Sequence, residues 1–253
     1  LCLIFALLVQ VGTNFANDYF DFVKGADTPA RVGPRRAVAA GLISPAAMIA
    51  ASALVLVLAF LTGLSLVFEG DWVLLPLGMV SILCALAYTG GPFPLAYHGL
   101  GDVFVFIFFG LVAVATTFYV QAGGVTSDVL LTAVATGLLA ANILVANNYR
   151  DAETDARAGK RTLVVRFWRK FAVWQYALSH LGALLCPAAL LLHGYREPVL
   201  LPLLLAPWAA VLTRRLAASR ESAEQIRLLG ATAGYLAVFG VLLCAGLVLG
   251  GRQ

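Results

Sequence analysis

Residues 45–68 read PAAMIAASALVLVLAFLTGLSLVF, twenty-four positions without one charged side chain. A bilayer core asks for about 20 consecutive apolar residues when the backbone is helical. Lipid offers no hydrogen-bond partner, so a spanning backbone must satisfy its own polar groups, and a run of this length predicts a helix. The alternation expected of barrel strands is absent. The pattern repeats along the chain, predicting spans at about 1–19, 45–68, 72–90, 100–121, 127–149, 171–193, 198–217 and 226–250. Turn signals separate them at Gly70-Asp71, Gly90-Gly91-Pro92, Gly123-Gly124 and Gly194. The expectation is an all-α, polytopic transmembrane helical bundle with eight helices, forming one integral membrane domain over residues 1–253. Composition agrees: 61% of residues are hydrophobic and 12% charged, against roughly half and a quarter in a soluble domain.

Charge orders these helices. The loops after the first, fifth and seventh spans hold fifteen of the seventeen Lys and Arg residues, including Lys24, Arg31, Arg35, Arg36, Arg150, Lys160, Arg161 and Arg227. Only Arg196 and Arg252 fall on the other side. Basic loops stay in the cytoplasm, so the net charge of +4 is a topological signal. No separate basic patch points to nucleic acid. Nine of the thirteen acids share the basic side, which places any chemistry at the cytoplasmic face. The four cysteines sit in apolar runs with no CxxC pair, which predicts small buried hydrophobes rather than a zinc or disulfide site. His180 and His193 have no ligand partners nearby in sequence.

Two acidic clusters stand out. Asn14, Asn17, Asp18 and Asp21 are spaced to share one helix face, followed by Lys24 and Asp27. Asn147, Asp151 and Asp155 repeat the device at i, i+4 and i+8, followed by Lys160 and Arg161. Stacked carboxylates repel one another, and charge near membrane depth costs a few kcal/mol per group. A compensating cation is implied. Mg2+ suits oxygen ligands, and it binds through one or two carboxylates together with substrate phosphates. The neighbouring Lys and Arg suit a diphosphate.

At these residues the chain resembles the UbiA superfamily of intramembrane prenyltransferases. Asn17-Asp18-x-x-Asp21 matches that family's NDxxDxxxD motif, except that Gly stands at 25 and the acid follows at Asp27. Asp151-x-x-x-Asp155 matches its DxxxD motif. Gly25-x-Asp27 and Gly33-Pro34-Arg35 look like the MenA branch, the 1,4-dihydroxy-2-naphthoate polyprenyltransferases. So do Tyr88-Thr89-Gly90-Gly91-Pro92, Gly99-Leu100-Gly101-Asp102, and the stretch from Asn147 to Leu163. The family has nine transmembrane helices against eight here. The resemblance therefore implies that the first is missing, and Leu1 opens inside an apolar run. Members often carry Gly near position 168, where this chain has Trp168, which leaves the local loop open.

The resemblance implies Mg2+-dependent transfer of a polyprenyl group from its diphosphate to 1,4-dihydroxy-2-naphthoate, giving demethylmenaquinone. Asp18, Asp21, Asp151 and Asp155 would hold the metal, with Asp27 as an auxiliary ligand. Lys24, Lys160 and Arg150 would bind the diphosphate, with Asn17 and Asn147 orienting the groups. Tyr88, Tyr119 and Tyr149 would be candidates to shelter positive charge. Arg35, Arg36 or Arg150 would meet the acceptor's carboxylate, and Asp102, Tyr97 and His98 would line the acceptor side. The site would face the cytoplasm from a bacterial inner membrane. Two alternatives stay open: another aromatic acceptor, or a cation transporter whose path the aspartates line.

Overall fold

A computed structural model describes residues 1–27 and 33–251. Arg31 and Arg252 therefore lie outside the described residues. Among the described residues there is no strand. Eight helices follow one another: α1 (Cys2–Val23), α2 (Pro45–Glu69), α3 (Leu74–Ala87), α4 (Gly101–Ala122), α5 (Ser127–Arg157), α6 (Leu163–Leu192), α7 (Glu197–Ala218) and α8 (Ser222–Gly250). A 3-10 turn, Leu95–His98, precedes α4. Every span read from the hydropathy pattern is a helix.

Six of them, α2 and α4 to α8, are long and apolar enough to cross a bilayer, and the protein is an integral, multi-pass membrane protein. At 14 residues, α3 reaches only about 21 Å, short of the ~30 Å hydrocarbon core. In α1 the closing turns are polar, carrying Asn17, Asp18 and Asp21. The apolar residues of α2 divide sharply. Met48, Ser52, Leu56 and Ala59 form a buried stripe, while Leu54, Val57, Leu58 and Leu61 face outward. An outward apolar face is what lipid requires. It also corrects the expectation for the cysteines: only Cys186 is buried, and Cys244 is exposed.

The chain groups into two compact units. The first comprises Leu1–Gly101, Thr116–Gly124 and Asp151–Val165. Its spine is the α1–α2 pair. A Cβ added at Gly12 would lie 2.6 Å from the Leu56 side chain, so glycine is what lets the helices approach. Ser52 Oγ then donates to the Gly12 carbonyl at 2.8 Å. Ser44 caps α2 through the Ala47 N–H, with Pro45 next to it at the helix start.

The second unit comprises Asp102–Ala115, Val125–Arg150 and Arg166–Gln253. Here α4 widens into π-type turns over Phe106–Val112. A Cβ on Gly110 would lie 2.5 Å from the Gly137 Cα of α5, so two glycines set that crossing. The core of this unit is polar as well as aromatic. Asn142 Nδ2 donates to the Tyr176 carbonyl (3.0 Å) and lies 3.1 Å from His180 Nδ1, which is itself 2.9 Å from the same carbonyl. The Tyr176 hydroxyl meets Thr232 Oγ1 at 2.7 Å, and Thr232 donates to the Leu228 carbonyl. Tyr176 and Tyr235 both set their rings edge-on to His180, at 4.6 and 4.7 Å. At another end of the unit, His193 Nδ1 lies 2.6 Å from Asp128 Oδ1. Both histidines thus have partners distant in sequence.

Helix α6 is broken at Trp168, where φ is 71° and ψ is 163°. Among the described residues Trp168 is the one non-glycine with positive φ. That region of backbone space is essentially reserved for glycine, which has no Cβ to clash. The position where resembling proteins carry Gly is therefore a position whose geometry asks for it.

Candidate functional site

The first unit contains both acidic clusters. Asp18 and Asp21 project from the last turns of α1, where helical spacing stacks them on one face. Asp151 and Asp155 belong to the end of α5, which continues as a helix to Arg157 instead of stopping near residue 149. The chain then turns at Gly159, with φ of 74°, and sends Lys160 back. Lys160 Nζ reaches Asp21 Oδ2 at 3.0 Å, across 139 positions of sequence. This bond joins the segment after the second motif to the first motif.

Asp21 is 2% exposed. Its other oxygen, Oδ1, accepts from the Tyr97 hydroxyl at 2.8 Å. Lys24 and Lys160 stand over the Tyr97 ring at 4.6 and 4.9 Å. Tyr97 sits in the 3-10 turn, and its carbonyl accepts the Arg161 N–H at 2.9 Å. One tyrosine thus touches the end of α1, both lysines and the segment after α5. Its hydroxyl is pushed well above the ordinary phenol range. Burial contributes most, then the charge of Asp21 and the bond to it, then Asp27 and Asp155. The phenol stays a donor, and it feels acids from both clusters.

The remaining groups of this unit hold the frame. Asp18 accepts the backbone N–H groups of Ala37 (2.9 Å) and Val38 (3.2 Å), tying the loop after α1 to the helix. Asn17 Oδ1 accepts from Thr89 Oγ1 at 2.7 Å, and Lys24 Nζ donates to the Thr89 carbonyl. Thr89 is a residue that sequence reasoning passed over, although its Tyr88-Thr89-Gly90-Gly91-Pro92 stretch was noticed. The Tyr88 carbonyl accepts the Ala96 N–H, bracing the turn that carries Tyr97. Burial lowers the Lys24 pKa below the ordinary 10.5, Asp21 opposes this, and the charge of Lys160 adds to it. Arg36 Nε lies 3.9 Å from Asp27 Oδ2, whereas Arg35 is exposed.

Asn147, Tyr149, Arg150 and Asp102 belong to the second unit. Arg150 is buried and donates to Asn147 Oδ1 at 2.8 Å. Tyr149 is buried under the Arg169 guanidinium, 5.2 Å from its ring. Asp102 is buried and accepts from Gln175 Nε2 at 3.2 Å.

Among the described residues no three His, Cys, Asp or Glu side chains converge closely enough to hold a metal by themselves. That is compatible with Mg2+, which uses one or two carboxylates and completes its octahedron with phosphate oxygens and water. The donors are hard carboxylate oxygens. Each oxygen of Asp18 and Asp21 accepts one hydrogen bond, and carboxylate oxygens carry about two lone-pair sites each. The residues present therefore fit a divalent ion that arrives with a diphosphate.

The family model of the UbiA prenyltransferase family matches residues 1–236. A protein of Haemophilus influenzae named 1,4-dihydroxy-2-naphthoate octaprenyltransferase is 42% identical over 172 residues, covering 66% of this chain and 56% of that protein. One of the same name from Escherichia coli is 43% identical over 194 residues, covering 74% of this chain and 63% of its own length. The chain thus spans less than two thirds of these relatives. A solved structure of a digeranylgeranylglyceryl phosphate synthase superposes with a TM-score of 0.59 at 16% identity, covering 98% of this chain and 84% of the other, and so shares the fold. By fold and by a match over most of its length, the chain belongs to the UbiA prenyltransferase family.

Proposed function

We propose that the protein transfers a polyprenyl group from its diphosphate to 1,4-dihydroxy-2-naphthoate, giving the demethylmenaquinone skeleton as its hydroquinone. The observation that carries this reading is the Lys160–Asp21 bond. It joins the segment after one acidic helix end to the other helix end. Asp18, Asp21, Asp27, Asp151 and Asp155 share this unit with the cations Lys24, Lys160 and Arg36. Acid of this density beside lysine suits an anionic leaving group bound together with a divalent cation. The names of the relatives favour this acceptor over other aromatic rings.

Asp18, Asp21, Asp151 and Asp155 would hold Mg2+, with Asp27 in support; once bound, the ion draws electron density from the diphosphate and neutralises charge as it leaves. Lys24 and Lys160 bind diphosphate oxygens directly. Their ammonium groups are already directed by Tyr97 and Asp21, so little reorganisation is needed when charge grows on the leaving group. The bond between the allylic carbon and the diphosphate oxygen breaks, its electron pair leaving with pyrophosphate. A ring carbon of the electron-rich naphthoate supplies the pair for the new carbon–carbon bond, and the carboxylate departs as CO2. Tyr97, kept protonated, holds Asp21 in place throughout. The helices exclude water, which would otherwise capture the allylic cation. The concentration of Lys and Arg in alternate loops supports a cytoplasmic orientation for this chemistry, with the membrane read as the inner membrane of a bacterium.

The test is turnover of purified protein with radiolabelled polyprenyl diphosphate, 1,4-dihydroxy-2-naphthoate and Mg2+. Prenylated product and stoichiometric pyrophosphate are expected. Absence of both, from protein that remains folded, would refute the reading.

A further inference from the structure

The 3-10 turn that offers Tyr97 to Asp21 also builds a second aromatic feature. Phe93 and His98 stack face to face, with centroids 3.7 Å apart and planes within 21°. His98 is fixed from below: its Nδ1 lies 2.9 Å from the Pro94 carbonyl and donates to it. The turn closes at Gly99, whose φ of 75° ends it sharply, and the Leu100 N–H returns to the Leu95 carbonyl. Phe93 is nevertheless 55% exposed. An aromatic pair this well ordered offers accessible aromatic surface in a loop between membrane helices. The adjacent residue, Tyr97, is bonded to the carboxylate at the centre of the acidic cluster.

We propose that Phe93, backed by His98, is the platform on which the flat aromatic acceptor stacks. This rests on the function proposed above and adds the acceptor's place within it. In prenyl transfer the ring must come within about 3.5 Å of the carbon that leaves the diphosphate. The groups assigned to the diphosphate include Lys24 and Lys160, both over the Tyr97 ring, one residue from His98. The acceptor's platform therefore has to lie close to that turn. The two substrates also sort by chemistry. An isoprenoid tail partitions into lipid, whereas a hydroxylated, carboxylated bicycle comes from water and needs an exposed aromatic face. Offset stacking of such rings is favourable beyond the area buried.

The experiment measures steady-state kinetics of the whole chain in nanodiscs, varying each substrate in turn. Phe93→Leu keeps an apolar side chain that anchors equally well at a membrane surface but cannot stack. It should raise the acceptor KM about tenfold, leaving the prenyl diphosphate KM within about twofold, as expected for a lost stacking contact. Phe93→Trp should restore the acceptor KM. The intrinsic fluorescence of 1,4-dihydroxy-2-naphthoate gives an independent binding readout on the same variants. An acceptor KM unchanged in Phe93→Leu, or both KM values rising together, overturns the platform. Failure of the wild-type chain to form product overturns the functional reading instead, and acceptor binding by fluorescence then still decides between Leu and Trp.

Discussion

Two polar clusters, one in each unit, show how differently a membrane protein can spend polar residues. In the first unit Asp21, Lys160, Lys24 and Tyr97 make a charged cluster ringed by further acids. In the second unit Asn142, Tyr176, His180 and Thr232 make a neutral one, lined with aromatic rings. The neutral cluster ends on backbone carbonyls, those of Tyr176 and Leu228. Asn142 and Thr232 spend their donors on the helices themselves, while Asn142 Oδ1 and His180 Nε2 are buried without a hydrogen-bond partner. The charged cluster stacks Asp18 with Asp21 and Asp151 with Asp155 at helix ends, an arrangement that becomes favourable when a metal and an anion join it. A polar group that ends on backbone holds helices together; like charges stacked on one helix face imply a ligand.

The comparison breaks most readily on the charged side. Asp21→Asn and Asp151→Asn should each lower kcat by more than about a hundredfold, or roughly 2.7 kcal/mol of transition-state stabilisation. Asp21→Asn should also unfold at a lower temperature, because it leaves Lys160 without its carboxylate partner, so kcat is compared on folded protein. Activity near wild type in both variants would remove these carboxylates from the site. Mg2+ sharpens the same point. Calorimetric titration should find weak binding to the protein alone and much tighter binding once inorganic pyrophosphate is present, because the carboxylates do not converge on the ion unaided.

On the neutral side the effect should be smaller and of another kind. Asn142→Ala removes a donor to the Tyr176 carbonyl and the polar neighbour of His180 Nδ1. Leaving buried polar groups short of a partner costs about 1–3 kcal/mol. Unfolding of Asn142→Ala in detergent should move down accordingly, with kcat and both KM values of the folded protein unchanged. A selective fall in kcat would mean that the neutral cluster takes part in chemistry, and the contrast would collapse.

The two clusters were not equally legible. Stacked aspartates at the ends of apolar runs violate the economy of a membrane helix, and that violation is visible in one dimension. Asp18, Asp21, Asp151 and Asp155 could therefore be picked out from spacing alone. The partners could not. Tyr97 meets Asp21 across 76 positions and Lys160 meets it across 139, and no local pattern encodes such pairings. Thr89 was missed for the same reason. His180 looked isolated because its partner Asn142 lies 38 positions away on another helix. The helix limits erred where polarity misled. Residues 150–157 read as a basic loop, yet they continue α5, because the acids, arginines and alanines there are adequate helix formers once a helix already exists.

Trp168 offers a change that improves stability. Positive φ in that region costs a non-glycine residue about 1–3 kcal/mol, and the indole is 78% exposed, so little protein packing compensates. Trp168→Gly should raise the unfolding temperature, while Trp168→Ala, which keeps a Cβ, should not. Equal behaviour of the two would mean that the indole, not the backbone, sets the effect.

The smallest effect, and the most discriminating, comes from pH. Burial and the charge of Lys160 depress the Lys24 pKa despite Asp21. As pH climbs through that lowered value, the ammonium is lost, and with it one cation assigned to the diphosphate. The prenyl diphosphate KM should therefore rise at a pH below the ordinary lysine value of 10.5. Stability moves the other way. Between the lowered pKa of the folded state and 10.5 the unfolded chain holds more protons at this site, so unfolding becomes less favourable as pH rises. Tyr97 reverses the trend only above about 10, where the unfolded phenol ionises and the folded one does not. Below that point, binding should weaken while the fold strengthens, two drifts of opposite sign from one proton. Lys24→Arg, with a guanidinium that stays charged, should abolish both. If it removes neither, the titrating group is another residue. If only the KM drift disappears, Lys24 acts on the diphosphate without being the base whose titration changes stability.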